Sequence, residues 1–224
     1  MTRNIYRMVI PSLKSLLYHN NIDKVYLLTE DDDVGFWLPK QVEVVNVSCQ
    51  QWFKKSSPNY NNVFTWMVMM RMALCHVLPD AERILSLDLD TIIQDDITDL
   101  WDLPMDNKYV AGAIETALTK HRGYSYINCG VMMQNLDKWR DGMADHIIGL
   151  LNTKKYLYNE QDCMNKEIPE DGKLIIDPCY NYGFFNQESP RMPKILHFAA
   201  YGADRFKNES IVCKWGEADW GDIL

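Results

Sequence analysis

Arg83-Ile84-Leu85-Ser86-Leu87-Asp88-Leu89-Asp90-Thr91-Ile92-Ile93 is the stretch on which the reading of this chain turns. Apolar and β-branched residues surround two carboxylates spaced i, i+2, and a short apolar run of this kind predicts a buried strand. On an extended chain Asp88 and Asp90 share one face. Two carboxylates about 4–5 Å apart repel by roughly 3–4 kcal/mol at an effective dielectric of about 20. They must share a proton, meet cations or bind a metal ion. Oxygen ligands at a strand end suit Mg²⁺ or Mn²⁺, and such ions in turn hold phosphate oxygens. Asp88 and Asp90 are therefore read as a clamp for a metal ion and a diphosphate. Asp31 and Asp33 repeat the spacing, but within Glu30-Asp31-Asp32-Asp33, and a charge run of that kind reads as a solvated loop.

The 224 residues suffice for one substantial α/β domain or two small ones. No repeat, linker or low-complexity segment divides them, so a single domain over 1–224 is expected. A hydrophobic content of 47% argues for a real core, and a net charge of −8 argues against a nucleic-acid partner. Six cysteines without a C-x-x-C pair fit reduced thiols rather than a disulfide framework or a zinc site. No apolar run approaches the roughly 18 residues of a membrane span and no signal peptide is seen, so a cytoplasmic protein is expected.

Ile10, Leu13, Leu16 and Leu17 repeat at helical spacing from near Pro11 to His19-Asn20-Asn21. Strands are predicted over 25–29 and 42–47. No strand opens the chain, which suggests that a first strand of the sheet is missing. Val63, Met67, Met70, Leu74, Val77 and Leu78 predict a helix over 63–78, with methionines as core filler. Arg71 lies close to that buried stripe and needs an anionic partner, either a diphosphate or a structural carboxylate. A helical turn with an acidic N-cap is expected over 96–101, with Asp95, Asp96 and Asp99 structural. A strand over 109–114 ends at Glu115, and a polar loop spans 116–124. The strand over 126–133 is interrupted at Asn128-Cys129-Gly130, where glycine marks a close approach. Leu136, Trp139, Met143, Ile147 and Leu150 predict an amphipathic helix to about residue 151. Glu160-Gln161-Asp162 opens a short helix, and strands over 174–176 and 194–198 follow. Alternating strands and helices predict a mostly parallel sheet with its ligand site beyond the carboxyl ends of the strands. Asp88, Asp90, Glu115, Asn128 and His197 all fall at such ends. His197 is then the natural third metal ligand, since imidazole favours Mn²⁺ over Ca²⁺.

Arg71, the Arg83–Ile93 stretch, Asp96-Ile-Thr-Asp-Leu-Trp101, Asn128-Cys-Gly-Val-Met-Met-Gln-Asn-Leu-Asp-Lys-Trp-Arg140, Glu160-Gln-Asp162 and Ile195-Leu-His197-Phe stand in the order of one known family. Over residues 2–200 the chain resembles the family 8 retaining glycosyltransferases of GT-A fold, which include bacterial lipopolysaccharide galactosyl- and glucosyltransferases and glycogenin. The resemblance implies a nucleotide-sugar donor, usually a UDP-hexose such as UDP-glucose or UDP-galactose, and a saccharide or other hydroxyl acceptor. It implies that the Asp88-Leu89-Asp90 segment and His197 hold Mn²⁺, or Mg²⁺, on the donor diphosphate, with Arg71 close by. Asn128, Cys129 and Gly130 stand in the place of the family's N-[SA]-G at the donor sugar, and Glu115 where a sugar-binding acid is common. Glu160-Gln161-Asp162 stands for the family's D-Q-D, with Gln161 near the anomeric carbon and its acidic neighbours on sugar hydroxyls. No glycosidase-style nucleophile is evident, so retention would come from front-face attack with the departing phosphate taking the acceptor's proton.

Three features depart from the family pattern. The opening strand with its base-binding acids is absent, Glu160 replaces Asp, and the H-F-x-G-x-x-K-P-W ending is loosened to His197-Phe-Ala-Ala-Tyr-Gly-Ala-Asp-Arg-Phe-Lys207. Lys207 is preferred over Lys214 as the phosphate contact. Asp88-Leu-Asp90-Thr91 also resembles the D-x-D-x-T of haloacid-dehalogenase phosphatases, and a non-catalytic sugar-nucleotide binder is a third reading.

Overall fold

The computed structural model describes residues 1–62, 64–183, 185–186, 191–199 and 202–224. Val63 of the expected helix, and Ala200 and Tyr201 of the loosened ending, lie outside the described residues. A 3-10 helix (Arg3–Met8) runs into α1 (Val9–His19), where the apolar spacing predicts it. Leu13 and Leu17 pack with Met1, Tyr6, Leu27 and Val34, while Leu16 turns toward the central sheet. Asn20 ends the helix. Its amide nitrogen donates to the Leu16 carbonyl (3.1 Å) and its amide oxygen accepts from the Ile97 N–H (2.8 Å), tying the helix end to a distant loop.

β1 (Val25–Thr29) and β2 (Val42–Asn46) pair in parallel, and no strand precedes β1 among the described residues. In the acidic loop between them Asp31 holds Arg3 and Tyr6 of the N-terminal 3-10 helix and Asp33 caps Gly35, so that D-x-D fastens and shapes the loop.

The next segment departs from a regular α-helix. Trp66–Ala73 is a 3-10 helix, and only α2 (Leu74–Val77) is α-helical. Three residues per turn put Trp66, Met69 and Met72 on one buried ridge and Met70 and Ala73 on another. The remaining ridge carries Val68 and Arg71, with Arg71 Nε donating back to the Val68 carbonyl (3.1 Å).

The decisive stretch is two strands. β3 (Arg83–Leu87) and β4 (Thr91–Ile93) are separated by a corner at Asp88-Leu89-Asp90. A pair of like charges cannot continue a buried ladder without partners. Instead Asp88 N–H makes a last rung to the Gly130 carbonyl (2.7 Å), and Thr91 Oγ1 closes the turn on the Asp88 carbonyl (2.8 Å). A 3-10 turn (Thr98–Asp102) follows, its first N–H (Thr98) held by Asp96, as the acidic cap predicts. Asp99 binds Lys194 and Tyr180.

β5 (Val110–Ile114) leads to α3 (Thr116–Arg122), where a polar loop was expected. This helix buries no residue, so it has no apolar stripe to announce it. β6 (Ile127–Asn135) runs unbroken through Asn128-Cys129-Gly130, yet the expected interruption survives as a bulge. Ile114 pairs with Ile127 and Gly112 with Met132, so two steps along β5 match five along β6. The helix expected over 136–151 is two helices, α4 (Leu136–Trp139) and α5 (Met143–Thr153), broken at Gly142, whose φ of 110° continues no α-helix. α6 (Asn159–Glu167), β7 (Lys173–Ile175), β8 (Ile195–His197), α7 (Gly202–Phe206) and α8 (Ser210–Glu217) complete the order.

The central sheet has the order β3-β6-β5-β7. β6 is antiparallel to both β3 and β5, and only β7 joins in parallel, so the sheet is mixed rather than mostly parallel. Strand direction is invisible in short apolar runs, because a strand covered on both faces reads alike whichever way its neighbour runs. β4 pairs antiparallel with β8, with Thr91 opposite His197. One face of the sheet packs against α2, α4, α5 and α6 through Ile127, Cys129 and Met132. The other packs Ala111, Val131 and Met133 against Ile93, Ile195 and Leu16. No helix among the described residues is long and apolar enough to cross a membrane.

Candidate active site

The corner between β3 and β4 and the end of β8 meet because Thr91 and His197 are ladder partners. Asp88, Asp90 and His197 offer ligand atoms that all lie within 4.8 Å of one another. His197 Nε2 is 3.4 Å from Asp90 Oδ1 and 3.7 Å from Asp88 Oδ2. The imidazole is buried while both carboxylates remain partly open to solvent. Leu89, between the acids, packs the opposite way against the cluster of Leu13, Leu17 and Leu27. Alternation along the corner thus sends two acids to the crevice and the leucine to the core.

Arg71 lies alongside. Its Nη2 is 2.6 Å from Asp88 Oδ1, its Nε 3.3 Å from Glu160 Oε1, and its Nη1 donates to the Cys129 carbonyl. Of the anionic partners considered for Arg71 at the sequence level, the carboxylates it meets in this structure are Asp88 and Glu160. Burial works against the guanidinium charge, and Asp88 with Glu160 outweighs it, so Arg71 is held firmly protonated. Burial would raise the Asp88 carboxyl, but Arg71 and then His197 overcome it and the net shift is downward. Glu160 goes the other way: burial outweighs Arg71 and lifts its carboxyl to about 7.

The bulge in β6 presents Asn128 and Gly130. Asn128 donates to Glu115 Oε1 (2.8 Å), and the same oxygen accepts from Gln161 Nε2 (2.8 Å). Gln161 Oε1 accepts the Cys129 N–H (2.9 Å), so both ends of the Gln161 amide are fixed. Gly130 is where the imidazole passes: a β-carbon there would sit 2.0 Å from His197 Cε1. The close approach expected at this glycine is thus that of a side chain. Asn159, at φ 40°, turns the chain into α6 and aims Glu160 and Gln161 at this floor.

Asp162 and Lys207 both meet partners within the protein. Asp162 accepts from Tyr126 OH (2.7 Å), Arg122 Nη2 (3.2 Å) and the N–H groups of Leu157 (3.1 Å) and Tyr158 (3.0 Å). The last two hold the entry to α6. Lys207 is exposed and pairs with Asp204 (2.6 Å), while Lys214 lies over Trp215; no described contact brings either to the cluster. Asn181 is the residue that sequence reading missed. It is fully buried behind His197, with its Oδ1 2.8 Å from His197 Nδ1. The one available signal was a polar residue closing the otherwise apolar turn Pro178-Cys179-Tyr180.

Residues 29–200 match the family model described as glycosyl transferase family 8. The chain belongs to that family.

Glycosyltransferase GlyF of Streptococcus pneumoniae serotype 4 is 24% identical to this family 8 chain over 213 residues, covering 85% of it and 52% of GlyF. GlyE of the same organism is 27% identical, covering 92% of the chain and 48% of GlyE. The chain thus spans about half the length of these two curated relatives. Among solved structures, galactosyltransferase LgtC in complex with donor and acceptor sugar analogs superposes with a TM-score of 0.68 at 16% identity, over 99% of this chain and 96% of LgtC. The crystal structure of GlyE superposes with a TM-score of 0.70 at 20% identity, over all of this chain and 60% of GlyE. The fold is that of the GT-A glycosyltransferases, an α/β architecture with helices flanking a mixed sheet.

Proposed function

We propose that this chain is a metal-dependent retaining glycosyltransferase that moves a hexose from a UDP-sugar, UDP-glucose or UDP-galactose first among them, to a hydroxyl-bearing acceptor. The observation that carries the proposal is the convergence of Asp88 and Asp90, from the β3–β4 corner, with His197, at the end of β8 far away in sequence, beside the hydrogen-bonded floor of Glu115, Asn128 and Gln161. The donor set fits Mn²⁺ or Mg²⁺: two carboxylate oxygens suit either ion, and the imidazole nitrogen tilts the set toward Mn²⁺. Asp88 Oδ2, Asp90 Oδ1 and His197 Nε2 would hold it. Such an ion supplies charge neutralisation for a departing diphosphate.

The chain's own residues contribute position and charge. Arg71 pins Asp88 through Oδ1 and leaves Oδ2 facing His197, so the acid is oriented before any ligand arrives. Glu115 and Asn128 form a polar floor at hydrogen-bonding range of each other, suited to the hydroxyls of a hexose. By the family resemblance Gln161 stands near the anomeric carbon, and an amide is no covalent nucleophile, which favours retention by front-face attack over a glycosyl-enzyme intermediate.

The test is a panel of UDP-sugars with Mn²⁺, reading released UDP with and without chelator. Turnover of a UDP-hexose that stops on chelation supports the proposal. Equal turnover after chelation, or no release from any sugar nucleotide, overturns it.

A further inference from the structure

Behind the His197 imidazole a line of amides has only one consistent arrangement. The Gly130 N–H can only donate, and it meets Asn128 Oδ1 at 2.9 Å. The other end of that amide, Nδ2, donates to Glu115 Oε1 at 2.8 Å. A backbone N–H at one end and a carboxylate at the other thus fix the orientation of Asn128 without reference to the imidazole. Asn128 Oδ1 also faces Asn181 at 3.0 Å, so Asn181 must offer its Nδ2 there. That leaves Asn181 Oδ1, a pure acceptor, 2.8 Å from His197 Nδ1. The proton of the neutral ring is then on Nδ1, and the lone pair of Nε2 points to Asp88 and Asp90.

Asn181 itself has no freedom to turn. It is fully buried, its N–H donates to the Pro178 carbonyl (3.0 Å), and its carbonyl accepts from Asn186 Nδ2. The ring is further held by the His197 N–H to the Tyr182 carbonyl (2.9 Å) and by Phe185 edge-on at 5.3 Å.

We infer that Asn181 is a positioning residue, which fixes the tautomer and orientation of His197 and links that ring, through Asn128, to the Glu115 carboxylate on the polar floor. The inference rests on the reading of His197 as a ligand only for its consequence; the tautomer itself is a property of the metal-free protein. Groups that orient a ligand histidine typically change metal affinity by about 10–100-fold when removed.

The experiment is long-range proton–nitrogen NMR on the full chain labelled in its five histidines, metal-free, above the ordinary imidazole titration range. The resonance missing from H197Q identifies His197. Wild type is expected to show the Nδ1–H tautomer, and N181A a mixture or the Nε2–H form. Mn²⁺ titration by electron paramagnetic resonance is expected to show affinity about 10-fold or more weaker in N181A than in wild type. An Nε2–H tautomer in wild type overturns the inference, and that arm needs no variant to fold. An N181A protein with both the wild-type tautomer and wild-type Mn²⁺ affinity overturns it as well. Wild type with the Nδ1–H tautomer and no Mn²⁺ binding supports the positioning role while overturning the metal assignment.

Discussion

Asp88 and Asp90 share a corner but are held differently. Asp88 is anchored by Arg71 at 2.6 Å, whereas Asp90 faces the His197 ring at 3.4 Å. Asp90→Ala is therefore the cleaner variant, since Asp88→Ala also takes from the buried Arg71 guanidinium its nearer carboxylate. Asp90→Ala is expected to lower Mn²⁺-dependent UDP release by about 100-fold or more, on the order of 3 kcal/mol, with an unchanged circular dichroism spectrum. Normal turnover in that variant sinks the assignment. Glu160 supports a second prediction, about stability and pH. Its carboxyl is raised from 4.5 to about 7, so the folded chain binds that proton more tightly than the unfolded chain does. This contribution is complete below the unfolded value and is lost as pH climbs through the folded one. Over pH 4.5 to 7 the native protein should lose on the order of 3 kcal/mol of stability relative to E160Q, which cannot ionise. Urea unfolding across that window measures the difference, and parallel profiles for the two proteins would refute it. The acids of the corner were legible because two carboxylates inside an apolar run demand a reason. Asn181 was not, since a lone asparagine acquires meaning only from what packs against it.

Elements were located well where an apolar period exists, though the stripe over 63–78 proved mostly 3-10, and poorly where it does not. α1 and β1 follow their spacing, while α3, polar on every side, passes for a loop. Helix breaks were hidden too, because the stripe through Leu136, Trp139, Ile147 and Leu151 continues in space across Gly142. That glycine yields a third prediction. Its φ of 110° is the whole difficulty, as an added β-carbon would touch nothing within 4 Å. Gly142→Ala should destabilise by about 1–2 kcal/mol in urea without altering UDP release. Gly130→Ala differs in kind. Its β-carbon would strike the imidazole, so both stability and Mn²⁺ binding should suffer, and the Gly142 variant serves as the control. If Gly130→Ala binds Mn²⁺ as wild type does, the ring does not need that space.

Across the whole molecule, the cluster of Asp88, Asp90 and His197 sits at the seam where the central sheet hands the chain to the β4–β8 pair. The core beneath it is formed by hydrophobic packing on both faces of β6, with Ile93 and Ile195 of the β4–β8 pair on one of them, and none of the three cluster residues is part of it. Chelation should thus leave the protein folded, while Mn²⁺ with UDP should raise its melting temperature. At a ligand concentration about 100 times the dissociation constant, linkage gives roughly 2.7 kcal/mol. Differential scanning calorimetry of wild type and Asp90→Ala tests this, and an equal rise in both proteins would remove the metal from that site.

The sequence by itself determined that the chain is α/β, where most of its strands run, that two acids interrupt an apolar run, and which family pattern it carries. Those are properties of local spacing and residue type, and they survive being read along one dimension. Tertiary structure decided that the sheet is mixed, that the bulge in β6 points Asn128 at Glu115, that Asp162 binds the entry of its own helix, and that Asn181 stands behind His197. Each of those depends on pairing between residues far apart in the chain, where strand direction and side-chain aim follow from packing rather than from any neighbour in sequence.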